Sequence, residues 1–199
     1  MRIVTAQELE KWLASGKVLE QDARGPKVVA LQTGIYLKIF YTRRNSLLAR
    51  LFPYAKKFTH NVELLNNLGI PAPEIIEQFW LNKRTGLTGC TYRPLPGKAL
   101  EQIYQESPNT IGTYIPTLAR FIKTLHDKGI YFRSLHFGNI ILTNDGQLGL
   151  IDVLDLHKSK KRLSSRLVKR NLNHLQKHLL RRKIHSFPMD DLIETYRSL

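Results

Sequence analysis

The chain has 199 residues, 31 Lys and Arg against 16 Asp and Glu for a formal charge of +15, and 42% apolar content with eight Phe, eight Tyr and two Trp. That apolar content suits a folded chain with a sizeable core and excludes a disordered one, and the charge surplus favours polyanionic partners. The single cysteine, Cys90, excludes an intramolecular disulfide framework and a cysteine-rich metal site, and no window approaches the roughly 18 apolar residues of a membrane span.

The N-terminal stretch MRIVTAQELEKWLASGK is interrupted by Glu8 and Glu10 before any signal-peptide core forms, which predicts a reducing, cytoplasmic setting. Thr5 and Glu8 have capping-box spacing, so a short helix is expected to end near Gly16. KVLEQDA, KVVALQT and IYLKIFY read as strands, the last two joined by a turn at Thr33 and Gly34. NSLLARLFPYAKKFTHNVELLNNLG reads as helical, with Pro53 breaking it or starting a second helix and Gly69 as the residue just past its end.

Two further strands are expected around NKRTG, followed by a proline-rich connection at Pro94 to Gly97. TIGTYIPTLARFIKTLHDKG places Ile111, Ile115, Leu118, Phe121, Ile122 and Leu125 on one helical face, stopping at Gly129. A loop follows, then a strand at NIILT, an Asn-Asp-Gly turn and a strand at LGLID. From His157 to Phe187 there are eleven Lys or Arg and no Asp or Glu. Within that segment Leu163, Leu167, Val168, Leu172, Leu175, Leu179 and Ile184 recur at near-helical spacing. Strands with one helix followed by mainly helices predict an α+β chain of two lobes.

The stretch YFRSLHFGNIILTNDGQLGLID carries the chemistry. Phosphoryl transfer needs ligands for metal-bound phosphates, a cation on those phosphates and a group that orients the attacking hydroxyl. Asn139 follows Ser134 by five residues, and Asp152 lies across a strand, turn and strand from Asn139. A hairpin would bring Asn139 and Asp152 to one end, where both offer the hard oxygen that Mg²⁺ prefers. Taken singly, Asn139 is better read as capping a loop and Asp152 as ending a strand; it is the joint pattern that points to the metal.

YLKIFY, NLGIPAP, YFRSLHFGNIIL, LGLIDVLDL and RNLNHL, from about Tyr36 to Leu175, resemble the small bacterial kinases of lipopolysaccharide core sugars, which phosphorylate heptose or Kdo, and among them the toluene-tolerance-like members. The resemblance implies a bilobal protein-kinase-like α+β fold. Residues 1–95 would form a small antiparallel lobe, and 96–199 a reduced helical lobe with a catalytic-loop-like segment at 131–152 and a basic helix at about 160–185. It implies ATP and Mg²⁺, and a lipid-linked anionic glycan or lipopolysaccharide core as acceptor. It gives Lys38 as the phosphate-binding lysine, Glu63 or its neighbour Asn61 as that lysine's helix partner, and Tyr92 as a nucleotide-binding residue. Asn139 and Asp152 become metal ligands, with Asp155 as a further metal or substrate ligand or a helix cap.

Two departures stand out. Only Gly25 in QDARGPKVVA precedes Lys38, in place of a glycine-rich phosphate loop. Ser134 stands where a kinase loop has its catalytic aspartate, leaving Arg133, Ser134 and His136 as the candidate catalytic residues, with His136 either base or structural. Three functions are expected in descending order: a sugar kinase, a pseudokinase acting as nucleotide-binding or adaptor protein in envelope biogenesis, and an RNA-binding protein. The basic segment suits an anionic membrane surface at the cytoplasmic face, whereas its lack of interleaved aromatics argues against nucleic acid.

Overall fold

In the computed structural model, which describes residues 1–42, 45–184 and 186–199, the chain divides into two units, Met1–Pro94 and Leu95–Leu199. The first comprises β1 (Arg2–Ile3), α1 (Ala6–Ser15), β2 (Lys17–Asp22), β3 (Gly25–Ala30), β4 (Tyr36–Phe40), α2 (Ser46–Leu51), α3 (Tyr54–Asn67), β5 (Glu74–Asn82) and β6 (Leu87–Arg93). Its sheet runs β1-β5-β6-β4-β3-β2, antiparallel except for the β1–β5 pair. Thr5 caps α1 by accepting the Glu8 amide at 3.1 Å. The reciprocal half of the capping box does not form, because Arg2 takes the Glu8 carboxylate at 2.7 and 2.8 Å.

The period-two alternation of β4 divides its side chains between two covered faces. Leu37 and Ile39 join Val4, Val29 and Phe79 in a core on which Trp12 and Leu13 of α1 pack. Tyr36, Lys38 and Phe40 belong to the face covered by α3, where Phe40 and Tyr92 both pack on Phe58. Pro53 separates α2 from α3, as a residue without an N–H must. Helix α3 closes with the Gly69 amide on the Asn66 carbonyl and the Ile70 amide on the Leu65 carbonyl. This is the paired-bond ending that requires the left-handed φ of +70° held by Gly69.

The second unit contains β7 (Lys98–Ala99), α4 (Leu100–Glu106), a tight 3-10 stretch (Pro108–Tyr114), α5 (Ile115–Asp127), β8 (Ile130–Phe132), β9 (Ile140–Leu142), β10 (Leu148–Leu150), β11 (Leu156–Lys158), α6 (Ser165–Arg181) and α7 (Met189–Ser198). The long helix expected from Thr110 begins only at Ile115. Pro116 explains the delay: it cannot donate to a preceding carbonyl, so it is tolerated in a first turn and not deeper. The basic helix is shorter than the expected 160–185, and His185 lies outside the described residues. Its apolar stripe is turned inward, with Leu172, Leu175 and Leu179 buried, so the amphipathic pattern serves the core.

Candidate active site

Strand β8 delivers the loop, and a buried polar network fixes its end. Asn171 of α6 donates its side-chain amide to the Phe132 carbonyl at 2.6 Å, and its oxygen accepts from His126 Nε2 at 3.1 Å. His126 Nδ1 therefore accepts, taking the Tyr196 hydroxyl proton at 3.0 Å. Residues of α5, α6 and α7 thus converge on the carbonyl just before Arg133.

β8 pairs antiparallel with β11, Phe132 opposite Leu156, which brings Arg133 across from Asp155. Ser134 Oγ donates to Asp155 Oδ2 at 2.6 Å, and Arg133 Nε reaches the same oxygen at 3.1 Å. Both are charge-assisted, and the Ser134 bond is of the short, strong kind. The second carboxylate oxygen, Asp155 Oδ1, is buried without a partner. A loop lacking an aspartate at position 134 therefore holds a carboxylate beside it.

Asn139, 9% exposed, closes the loop on itself. Its side-chain nitrogen donates to the Ser134 carbonyl at 3.0 Å and to His136 Nε2 at 3.2 Å. Its own carbonyl accepts the Ile151 amide at 3.0 Å, and β9 pairs with β10 in the same register. Asn139 thus stands at the hairpin end from which Asp152 emerges. Asp152 is exposed and left-handed at φ +51°. The other non-glycine residue with positive φ among those described is Lys183, at the end of α6. Asp152 leads from β10 into the 3-10 turn Val153–Asp155. Strained backbone of this kind costs about 1–3 kcal/mol and collects at functional sites.

His136 is built into the back of the loop. Its ring stacks on His178 at 4.0 Å with an interplanar angle of 5°, and its Nδ1 is buried without a partner. Because Nε2 accepts from Asn139, the neutral ring carries its proton on Nδ1. Burial, helped by the neighbouring His178, pushes its pKa down to about 4, so the ring is neutral near pH 7. Beneath the loop, Glu101 of α4 binds Arg182 at 2.9 Å and lies against Gly138. A Cβ at Gly138 would sit 2.7 Å from Glu101 Oε2, so any larger residue there would push the Glu101 carboxylate aside. Glu101, Asn171 and His178 escaped the sequence reading; only the first-turn position of Glu101 and the RNLNHL stretch signalled any of them.

In the first unit Lys38 is half-buried, with its ammonium 5.7 Å from the centre of the Phe58 ring. Asn61 is buried on the sheet side of α3, one turn beyond Phe58, whereas Glu63 is exposed on the other side of the helix. Of the two expected partners for Lys38, helical geometry gives Asn61 the inward position and turns Glu63 to solvent. Tyr92 is 8% exposed, its ring edge-on to Tyr36 and Phe58 in the core. The β2–β3 hairpin uses its own polar groups: the Arg24 amide and guanidinium both bind Asp22, at 2.8 and 2.7 Å. That tip presents a carboxylate where a phosphate cradle would present bare amides.

Among the described residues no group of three His, Cys, Asp or Glu side chains is placed to hold a metal ion. The donor set at the hairpin end is one amide oxygen and one carboxylate. With the Asn139 nitrogen engaged, its amide oxygen is the atom left for a metal ion, and hard oxygens of this type fit Mg²⁺. No helix among the described residues is long and apolar enough to cross a membrane. A family model described as "Lipopolysaccharide kinase (Kdo/WaaP) family" matches residues 95–196, the span that holds the loop, Asn139, Asp152 and α6. No curated protein matches the chain significantly.

Proposed function

The chain belongs to the lipopolysaccharide kinase (Kdo/WaaP) family and has a kinase-like α+β fold, and from that premise we propose that it transfers the γ-phosphoryl group of Mg-ATP to a sugar hydroxyl of a lipid-linked glycan of the lipopolysaccharide core. The observation that carries this reading is the 2.6 Å bond from Ser134 to Asp155. The RNLNHL stretch supports the finer placement among toluene-tolerance-like members.

Asn139 and Asp152 would hold Mg²⁺, which when bound neutralises charge on the phosphates. Lys38 would position those phosphates, with Asn61 as its polar neighbour on α3, and Tyr92 would shape the nucleotide pocket from within the core. Ser134 donates its hydroxyl hydrogen bond to Asp155, so its lone pairs face the acceptor. The acceptor hydroxyl proton passes to Ser134 Oγ as the Ser134 proton passes to Asp155. The acceptor oxygen bonds to the γ-phosphorus, the bond to the β-bridging oxygen breaks, and ADP leaves with that electron pair. Asp155 is thus a proton acceptor rather than a metal ligand, and Arg133 holds it in place. His136, neutral and engaged by Asn139, orients that amide rather than serving as base.

The cationic outer face of α6 would draw the protein to the anionic inner face of the cytoplasmic membrane mainly by charge, since Leu172, Leu175 and Leu179 are buried and Leu180 is its exposed leucine. The test is transfer of labelled phosphate from Mg-ATP to deacylated core oligosaccharide. Asp155→Asn is expected to slow it by about 10²–10⁴-fold, the usual weight of a general base. Unchanged transfer would contradict the relay, and no transfer by folded wild type would favour the adaptor function.

A further inference from the structure

The proposed chemistry leaves one face of the loop unused. Behind Arg133 to His136 lies a cavity of about 270 Å³, closed by His174, His178 and Arg181 of α6. These three recur at four- and three-residue spacing, on one side of the helix. The lining contains two guanidinium groups and three imidazoles but no carboxylate. His174 Nε2 is buried with no hydrogen-bond partner. The pKa of His174 is lowered first by its burial and then by Arg170, Lys177 and Arg133, against the opposing charge of Asp155. Two carboxylates lie close by: Asp155, whose Oδ2 is taken by Ser134 and Arg133 while its Oδ1 has no partner, and Glu101, which binds Arg182 and lies 4.0 Å from His178 Nε2.

A buried imidazole nitrogen, in the tautomer that puts its proton on Nε2, is a donor aimed into a cavity with two guanidinium groups, which suits an anionic acceptor of hydrogen bonds. The volume falls at the small end of ligand sites, too small for a nucleotide and suited to one charged sugar substituent. The cavity reaches Ser134 itself, whose hydroxyl would meet the acceptor. A larger cavity of about 660 Å³ between α5, α6 and α7 includes none of the loop residues.

We propose that His174, His178 and Arg181, together with Arg133, form an oxyanion subsite that grips a phosphate or carboxylate group on the acceptor glycan and so places the neighbouring hydroxyl at Ser134. This rests on the kinase function above for the identity of the acceptor, but not for the binding of the anion.

The experiment is NMR of the histidine ring Hε1 resonances of the full chain, titrated at neutral pH and constant ionic strength with inorganic phosphate and, separately, with the sugar acid Kdo. Saturable shifts of His174 and His178 are expected. Arg181→Gln should weaken the binding about tenfold, as loss of a charge-assisted contact does. Arg166→Gln, a charge on the same helix outside the cavity, should leave it unchanged. If phosphate alone shifts the rings, the subsite reads a phosphoryl group, and if Kdo alone does, a sugar carboxylate. Shifts that do not saturate, or that respond equally to both Arg variants, would overturn the subsite. Mg-ATP calorimetry on the same samples separates the two claims, because anion binding that persists without nucleotide binding would remove the kinase function and leave the subsite.

Discussion

Ser134 occupies the position of a kinase aspartate, and Asp155 restores a carboxylate to it from 21 residues further along the chain. The order Ser134, Asn139, Asp152 was legible in the sequence because it depends on spacing and one hairpin. The bond between Ser134 and Asp155 was not, because it depends on pairing between two three-residue strands, and β11 lies in a segment whose charge marks it as basic tail. The histidines around the loop make a second residue-scale claim. His126, His136, His174 and His178 all have pKa values lowered mainly by burial, that of His136 to about 4. A folded-state pKa below the unfolded value of about 6.5 means that the unfolded chain binds more protons between the two. Stability should therefore be complete above about pH 6.5 and fall as pH drops toward 4. Urea midpoints at a series of pH values check this, and His136→Gln should flatten the slope; a midpoint that holds or rises on acidification would contradict it.

Among the elements, those with a strong local signal formed where the sequence placed them. Thr5 starts α1, Pro53 divides two helices and Gly69 ends α3. The miss at α5 came from weighting the apolar face over Pro116, whose backbone chemistry decides where a helix can begin. The anchoring of β8 was also out of reach, because Asn171 acts through contacts with Phe132 and His126 distant in sequence. Asn171→Ala would leave the Phe132 carbonyl and His126 Nε2 unpaired in the interior. A loss of about 2–4 kcal/mol is expected for two buried groups stranded at once. Denaturant titration measures it, and a loss below about 0.5 kcal/mol would show that the network does not hold the strand.

For the whole molecule, the charge of +15 is concentrated late in the chain, and the fold buries Leu172, Leu175 and Leu179 of α6 while leaving its Lys and Arg, with Leu180, outside. Association with a bilayer should then be electrostatic and sensitive to salt. Flotation with vesicles containing anionic lipid is expected to recover the protein at about 50 mM salt and to lose most of it at about 500 mM, where screening is within a few ångströms. Recovery unaffected by salt would mean that apolar side chains enter the membrane. The two lobes expected from the strand-to-helix order rest on patterning, whereas membership of the lipopolysaccharide kinase family rests on the match over residues 95–196, within the second unit.

The claim on which the rest depends is that Asn139 and Asp152 hold a metal-bound nucleotide. Isothermal calorimetry of ATP with and without Mg²⁺, comparing wild type with Asp152→Asn, tests it most directly. Binding that requires Mg²⁺ and weakens at least tenfold in Asp152→Asn is the predicted result. Folded wild type that binds no ATP up to millimolar concentration, or binds it equally well without Asp152, would contradict the account.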